Sequence, residues 1–282
     1  MPTAQILVLG AVAGFTIFLG LPLGRVRNSD PRLRVALSAL ATGILVFLLW
    51  DVLSHGVDPV EGALTAASDE HGSWGRFTWL ATLLTGGFAA GMMSLVYYDR
   101  WMGRKRQSTL VGPGAAAVDE FESHSRIGAL TPGCRLALLI ATGIGLHNFG
   151  EGLAIGQSAA ANEFSLALVL IIGFGLHNAT EGFGIVGPMA GDAERPSWGF
   201  LALLGLIGGG PTFLGTVIGQ AWVSEALQVG FFAIAAGSIL YVVIELMHVN
   251  RQFGMKTLAT WSLLTGIFLG FATDFVLIAA GA

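Results

Sequence analysis

A short pattern that carries an imidazole, an amide and a carboxylate occurs twice in this chain. Residues 143–156 read GIGLHNFGEGLAIG, and residues 173–186 read GFGLHNATEGFGIV. Both copies keep Gly-x-Gly-Leu-His-Asn-x-x-Glu-Gly, at an offset of 30 residues. Each copy puts three polar side chains in the middle of an apolar stretch. A charged group at such a position in a membrane helix costs at least about 2.5–3.5 kcal/mol, which favours a functional reason for keeping two of them.

The spacing inside each copy predicts that its ligands share a helical face. His147 and Glu151 are four residues apart, as are His177 and Glu181, and residues four apart lie one turn apart on the same face. Two neutral imidazoles and two carboxylates suit zinc and also accept iron(II), manganese or cobalt.

The amides extend this ligand set. Asn148 and Asn178 lie three residues before the same glutamates, so each glutamate can also join a neighbouring site. The spacing therefore predicts His147, Glu151, His177 and Glu181 as metal ligands, with Asn148 and Asn178 beside them. A thiolate cluster is excluded, because Cys134 is the only cysteine.

Composition indicates that these residues lie in a membrane protein. The chain has 282 residues, of which 54% are hydrophobic and only 11% charged, whereas soluble domains carry about 25% charged residues. Its 41 glycines predict close helix–helix packing in lipid. A net charge of -4 without a basic stripe gives no reason to expect nucleic acid as a partner.

Eight apolar stretches are each near the ~20 residues that cross a bilayer. The N-terminal stretch lacks a preceding basic region, so it is expected to be a span rather than a cleaved signal peptide. The sequence therefore predicts an all-α integral membrane protein whose single transmembrane domain covers residues 1–282. The predicted spans are 4–24, 33–55, 77–98, 134–159, 164–187, 197–221, 226–248 and 257–281.

The basic residues predict that both termini lie outside. With that orientation, 13 of the 14 Lys and Arg residues fall in connections on the inside, and only Arg76 lies outside, as the positive-inside rule requires. Two connections are long. The loop 56–76 is outside and acidic, and the loop at about 99–133 is cytoplasmic.

The doubled motif and the topology together resemble the ZIP family of zinc–iron permeases, over essentially the whole chain. The resemblance implies metal uptake into the cytoplasm, with zinc as the first expectation and iron, manganese, cobalt and cadmium left open. It implies a 3+2+3 arrangement of helices with an inverted repeat, and a metal site between the fourth and fifth helices. It also implies an adjacent site, whose metal ligands are Asn148, Glu151, Asn178 and Glu181. Some family members carry an acid on the sixth span near the place of Gly210, so the second site here is expected to be poorer in charge.

Two further polar pairs lie at helix ends. Asp51 and His55 are four residues apart at the outside end of the second span, where the resemblance implies an entrance relay. Glu245 and His248 are three residues apart near the inside end of the seventh span and suit an exit path. An interfacial helix end explains either pair as well.

Two other classes of protein remain open at this point. An intramembrane zinc-dependent hydrolase would use zinc to activate water, but no general base is left once both glutamates are ligands. A bis-histidine haem protein would leave both glutamates unexplained. We expect no enzyme activity and no cofactor besides the transported metal. The expected partners are divalent metal ions and the lipid bilayer of the cell membrane, and a homodimer is left open.

Overall fold

A computed structural model describes residues 3–26, 30–69, 72–108, 130–160, 164–192, 194–221 and 224–280. Every regular element in these ranges is helical, which confirms the predicted all-α class. The helices are α1 (Thr3–Phe15), α2 (Pro31–Ser68), α3 (Trp74–Ser108), α4 (Pro132–Ala160), α5 (Phe164–Val186), α6 (Trp198–Ala221), α7 (Glu225–Gln252) and α8 (Lys256–Ala280). Short 3-10 helices follow α1, at Thr16–Leu19 and Leu21–Arg25, and α5, at Gly187–Gly191.

Seven helical segments are long and apolar enough to cross a bilayer, judged on the described residues. They comprise α2, α3, α4, α6, α7, α8 and the combined segment Ala4–Arg25. Helix α5 has 23 residues, enough for about 34 Å at ~1.5 Å per residue. This architecture is that of a multi-pass membrane protein, as the sequence predicts.

The first span is not one continuous α-helix. Helix α1 ends at Phe15, and the chain goes on in two 3-10 helices. Pro22 has no N–H to donate to the preceding turn. The Thr16 hydroxyl donates to the Ala13 carbonyl at 2.6 Å, a local bond of the kind that bends helices.

The predicted starting points of the loops 56–76 and 99–133 were wrong. Helix α2 continues to Ser68, so its 38 residues span about 57 Å, far more than the bilayer core of ~30 Å. Val60 and Ala63 in this extension pack against Leu80 of α3 and Val229 of α7. That apolar stripe explains why the helix persists beyond the membrane.

Helix α3 likewise continues to Ser108. The rest of the predicted cytoplasmic loop, 109–129, lies outside the described residues. Helix α4 then begins at Pro132, with the Thr131 hydroxyl accepting a hydrogen bond from the Cys134 N–H at 3.1 Å, which is an N-cap arrangement.

The helices pack in two groups. Helix α4 lies mainly against α6, and α1 packs on both α5 and α6; on the other side α3 packs on α7, and α2 packs on α7 and α8. Contacts of α4 with α7 and of α2 with α5 join the two groups. The doubled motif therefore lies in the first group, at the centre of the molecule.

Candidate metal centre

The first copy of the motif lies on α4, which is the most buried of the seven segments that are long and apolar enough to cross a bilayer. His147 Nε2 lies 3.1 Å from Glu151 Oε1, and their side chains are only 3% and 4% exposed. The predicted sharing of one helical face is therefore confirmed for this copy. An imidazole and a carboxylate in contact, away from water, are a pair of groups that can bind a divalent transition metal together.

The second copy, on α5, meets the first through an amide. Asn148 Nδ2 donates to Glu181 Oε2 at 3.1 Å and to the Gly208 carbonyl of α6 at 2.9 Å. Glu181 and Asn148 are both fully buried. The amide thus holds the Glu181 carboxylate towards α4, and it brings the two predicted glutamates to the same region of the helix pair.

Asn178 makes the corresponding contacts from the other side. Its Nδ2 donates to the Ala13 carbonyl of α1 at 3.1 Å, and its side chain lies within interaction range of the Glu151 carboxylate. Each asparagine therefore reaches the glutamate of the other copy. Both asparagines also anchor themselves on the backbone of a flanking helix.

Three oxygen atoms in this cluster are buried without a hydrogen-bond partner among the described residues. They are Asn148 Oδ1, Asn178 Oδ1 and Glu151 Oε2. Buried polar atoms nearly always have a partner, and exceptions call for a water, an ion or a functional reason. Carboxylate and amide oxygens are ligands for divalent cations, so the chemistry of the donor set fits a metal ion.

Helices α1 and α6 hold the two copies in corresponding ways. A Cβ added to Gly20 would lie 2.7 Å from Ala179 O and from Gly182 C on α5; a Cβ added to Gly215 on α6 would lie 3.0 Å from Gly152 Cα and even closer to the Phe149 carbonyl on α4. Real Cβ contacts are essentially never below 3.0 Å. Helix α5 thus packs closely on the segment that follows α1, and α4 packs in the same way on α6. A glycine lies at each of the two crossings.

The sequence carries the same correspondence outside the doubled motif. The segment that begins at Gly10 reads Gly-x-x-x-Gly-x-x-x-Phe-Leu-Gly, and the segment that begins at Gly205 repeats this pattern. Gly14 and Gly209, the second glycines of the two segments, face each other where α1 crosses α6. The number of glycines predicts only close packing in general. Their equal spacing in the two segments is the sequence signal that indicates these particular helix contacts.

Other groups of the centre left no signal in the sequence. The carbonyls of Ala13 and Gly208 accept the asparagine hydrogen bonds, and any residue type can supply a carbonyl. Pro211 lies inside α6, so the carbonyl of Ile207, four residues earlier, loses its helical donor. A Cβ on Gly210 would meet no atom within 4 Å, and the α6 carbonyl at the centre belongs to Gly208.

The described residues do not bring the full predicted ligand set together. Helix α5 carries His177, but the side chain of this residue lies outside the described part of the structure. Among the residues whose side chains are described, no three His, Cys, Asp or Glu side chains form a group that could hold a metal ion. The predicted role of His177 therefore stays a prediction.

The predicted entrance residues Asp51 and His55 are both close enough to interact electrostatically with His147 and Glu151, and Asp51 also interacts with Glu181. His55 is the more exposed of the two, with 59% of its side chain exposed and its Nδ1 at 3.6 Å from Asp51 Oδ1. The two residues form a step from an exposed imidazole to a half-buried carboxylate beside the centre.

No ion pair joins Glu245 and His248 in the described part of the structure, and their place in an exit path stays a prediction. His248 is exposed, and its Nε2 lies 3.1 Å from Gln252 Nε2. Glu245 instead lines a cavity of about 180 Å³ together with Asp99, Arg135 and Tyr241. Arg135 Nη2 lies 2.7 Å from Asp99 Oδ1, so two carboxylates and one guanidinium meet where α3, α4 and α7 come together.

Comparison with known proteins adds no identification: no family model matches this chain, and no curated protein matches it.

Proposed function

We propose that this protein carries divalent transition metals across the membrane, with zinc as the preferred cargo. The proposal includes membership of the ZIP family, which rests on the doubled His-Asn-x-x-Glu-Gly motif. Iron(II), manganese, cobalt and cadmium are the other cargoes that the ligand types allow.

One observation carries the proposal, namely that Asn148 joins the two copies of the motif inside a helix pair. Its amide contacts Glu181 while its neighbour His147 contacts Glu151. Two buried carboxylates interact at this place, and a divalent cation supplies two compensating charges in a medium where unbalanced charge is expensive. A pair of glutamates kept only for packing would lack this compensation.

The same charge balance supports one tightly bound ion. Glu151 and Glu181 neutralise a single divalent ion, and Asn148 and Asn178 add only neutral oxygens. A second ion beside the first would bring two uncompensated positive charges. We therefore propose a primary site at His147, Glu151, His177 and Glu181, with weak occupancy of the adjacent asparagine site.

Uptake towards the cytoplasm is part of the proposal. The positive-inside rule places the C-terminal ends of α1, α3, α5 and α7 on the inside. The single exception is Arg76, whose Nε and Nη2 atoms donate to the two carboxylate oxygens of Glu225 at 3.2 Å and 2.5 Å. The corresponding contacts of α1 and α6 support a 3+2+3 inverted repeat, in which both termini lie outside at the cell membrane.

Transport, rather than catalysis, also accounts for the ligand chemistry. A zinc hydrolase needs an open coordination position and a base beside the bound water. Here both glutamates of the doubled motif are assigned to the metal. We propose no enzyme activity and no resident cofactor.

Uptake into liposomes tests this function directly. Purified protein in vesicles that contain a zinc-sensitive dye should raise the internal zinc signal above that of empty vesicles, and Glu181→Ala should reduce the rate to that of empty vesicles. Zinc that binds to the protein without accumulating in the vesicle lumen would contradict transport and return the hydrolase to consideration.

A further inference from the structure

A cavity at the turn between α7 and α8 has features that the transport site does not use. It measures about 630 Å³ and lies between α2, α7 and α8. Its polar end is formed by Arg251, Lys256 and Asn250, and its other walls include Ala39, Ala259 and Leu263. The cavity therefore combines two cations with a long apolar wall.

The turn itself brings the two cations together. Helix α7 ends at Gln252, and Gly254 adopts a φ of 69°, in the left-handed region that favours glycine. Helix α8 then starts at Lys256, so the cations lie on opposite sides of a short turn. The N–H groups that begin α8 add positive partial charge at the same end of the cavity.

Asn250 specifies a second requirement for the ligand. This residue is only 7% exposed, and its Nδ2 donates to Thr42 Oγ1 at 3.1 Å. The Thr42 hydroxyl gives its single proton to the Ser38 carbonyl at 2.8 Å, so it can only accept from Asn250, which fixes the orientation of the amide. Asn250 Oδ1 is then buried without a partner among the described residues, and it requires a hydrogen-bond donor.

We propose that this cavity binds an anionic phospholipid whose headgroup carries a hydroxyl, of the phosphatidylglycerol class. The phosphate lies between Arg251 and Lys256, a headgroup hydroxyl donates to Asn250 Oδ1, and an acyl chain follows Ala259 and Leu263. Basic pockets between membrane helices are known to bind such headgroups. Trp261, 66% exposed on α8, lies about 7.5 Å along the helix from Lys256, a place where tryptophan marks the membrane interface.

Charge and depth favour a lipid over a free anion. A free phosphate would use the cations but leave the apolar wall of the 630 Å³ cavity without a ligand. A zwitterionic phosphatidylcholine has no headgroup donor for Asn250 and no net charge. The proposal is independent of metal transport, because none of its residues belongs to the metal centre.

Lipid binding is measured by native mass spectrometry of the purified protein in mixed micelles, with four additives: dioleoylphosphatidylglycerol, dioleoylphosphatidylmethanol, dioleoylphosphatidylcholine and inorganic phosphate. Phosphatidylmethanol has the same charge as phosphatidylglycerol but no headgroup hydroxyl. We expect phosphatidylglycerol to bind most tightly, phosphatidylmethanol less, and phosphatidylcholine least. Inorganic phosphate at millimolar concentration should not displace the lipid, and displacement would show a free-anion site and overturn the proposal.

Four variants separate this site from general surface charge. R251Q/K256Q should bind phosphatidylglycerol roughly thirty-fold more weakly, as expected for the loss of two interfacial cations. Asn250→Ala should remove the preference over phosphatidylmethanol. Ala259→Trp fills the cavity without changing charge and should also abolish binding. Arg100→Gln removes an exposed cation of α3 outside the cavity and should leave binding unchanged. Equal losses in Arg100→Gln and R251Q/K256Q, or normal binding by Ala259→Trp, would overturn the site.

Discussion

Glu151 and Glu181 are buried carboxylates whose described contacts are an imidazole and an amide rather than a guanidinium or an ammonium. Such an arrangement is costly without a cation, because charge in a low-dielectric interior needs compensation. Removing any ligand of the proposed primary site should therefore have a measurable effect on zinc binding.

At the scale of single residues, we expect His177→Ala and Glu181→Ala to abolish zinc uptake while the protein still folds and inserts. Each change removes one of four proposed ligands. Uptake is measured in liposomes at matched protein density, with Glu61→Ala as the control because this glutamate is exposed on α2. Wild-type rates in either ligand variant would show that the primary site is assigned wrongly.

Zinc affinity should fall as the pH is lowered. The imidazoles must be neutral and the carboxylates ionised to coordinate, so protons compete with zinc for all four proposed ligands. Competition with a fluorescent chelator at pH 7.5 and pH 5.5 measures the change. His147→Ala should show a shallower pH dependence because one competing group is removed, and an affinity that is the same at both pH values would contradict coordination by these titrating side chains.

Asn178→Asp tests the occupancy of the adjacent site. The new carboxylate should raise the number of bound zinc ions from one towards two and slow their release. It also loses the donor that Asn178 gives to the Ala13 carbonyl, at a cost of about 1–3 kcal/mol. We therefore expect a lower melting temperature without zinc and a larger zinc-induced rise than in the wild type. Two tight equivalents in the wild-type protein would show that the neutral amides suffice.

Helices α4 and α6 illustrate what holds the centre at the scale of elements. The Asn148 hydrogen bond to the Gly208 carbonyl requires α6 to lie very close to α4, and Gly215 permits that approach. The corresponding crossing of α5 uses Gly20. Small residues are the usual means of close approach between membrane helices.

We expect Gly215→Ala to destabilise the protein and reduce zinc uptake. A Cβ at Gly215 would overlap the Phe149 carbonyl of α4, and overpacking of this kind costs about 1–3 kcal/mol. Gly86→Ala on α3 is the control, because its Cβ would meet no atom within 4 Å. Both variants gain the same helix propensity. Thermal unfolding in detergent compares them, and equal melting temperatures would argue against a tight α4–α6 crossing.

For the whole molecule, the orientation in the membrane decides the direction of the proposed transport. In a Cys134→Ser background, Ser73→Cys should react with a membrane-impermeant maleimide added to intact cells, and Ser123→Cys should react only after the membrane is opened. The basic residues predict this pattern. The reverse labelling would invert the topology and with it the proposed uptake.

Much of this protein was determined by the sequence alone. Hydrophobic length and the scarcity of charge gave the helical spans, because the backbone in lipid must satisfy its hydrogen bonds within each helix. The period of the α-helix predicted that His147 and Glu151 share a face, which their 3.1 Å contact confirms. Residues 56–68 were predicted to be a loop because many of them are polar. They form a helix because Val60 and Ala63 lie on one apolar face that packs on neighbouring helices.

Only the tertiary structure decided which groups from different helices meet. Asn148 contacts Glu181 across the α4–α5 interface, and Ala13 and Gly208 supply carbonyls from α1 and α6. Glu245 faces Asp99 and Arg135 rather than the nearby His248. Such pairings depend on how closely whole helices approach and at which depth they cross. The sequence encodes that approach only through small residues, and many different crossings use the same small residues.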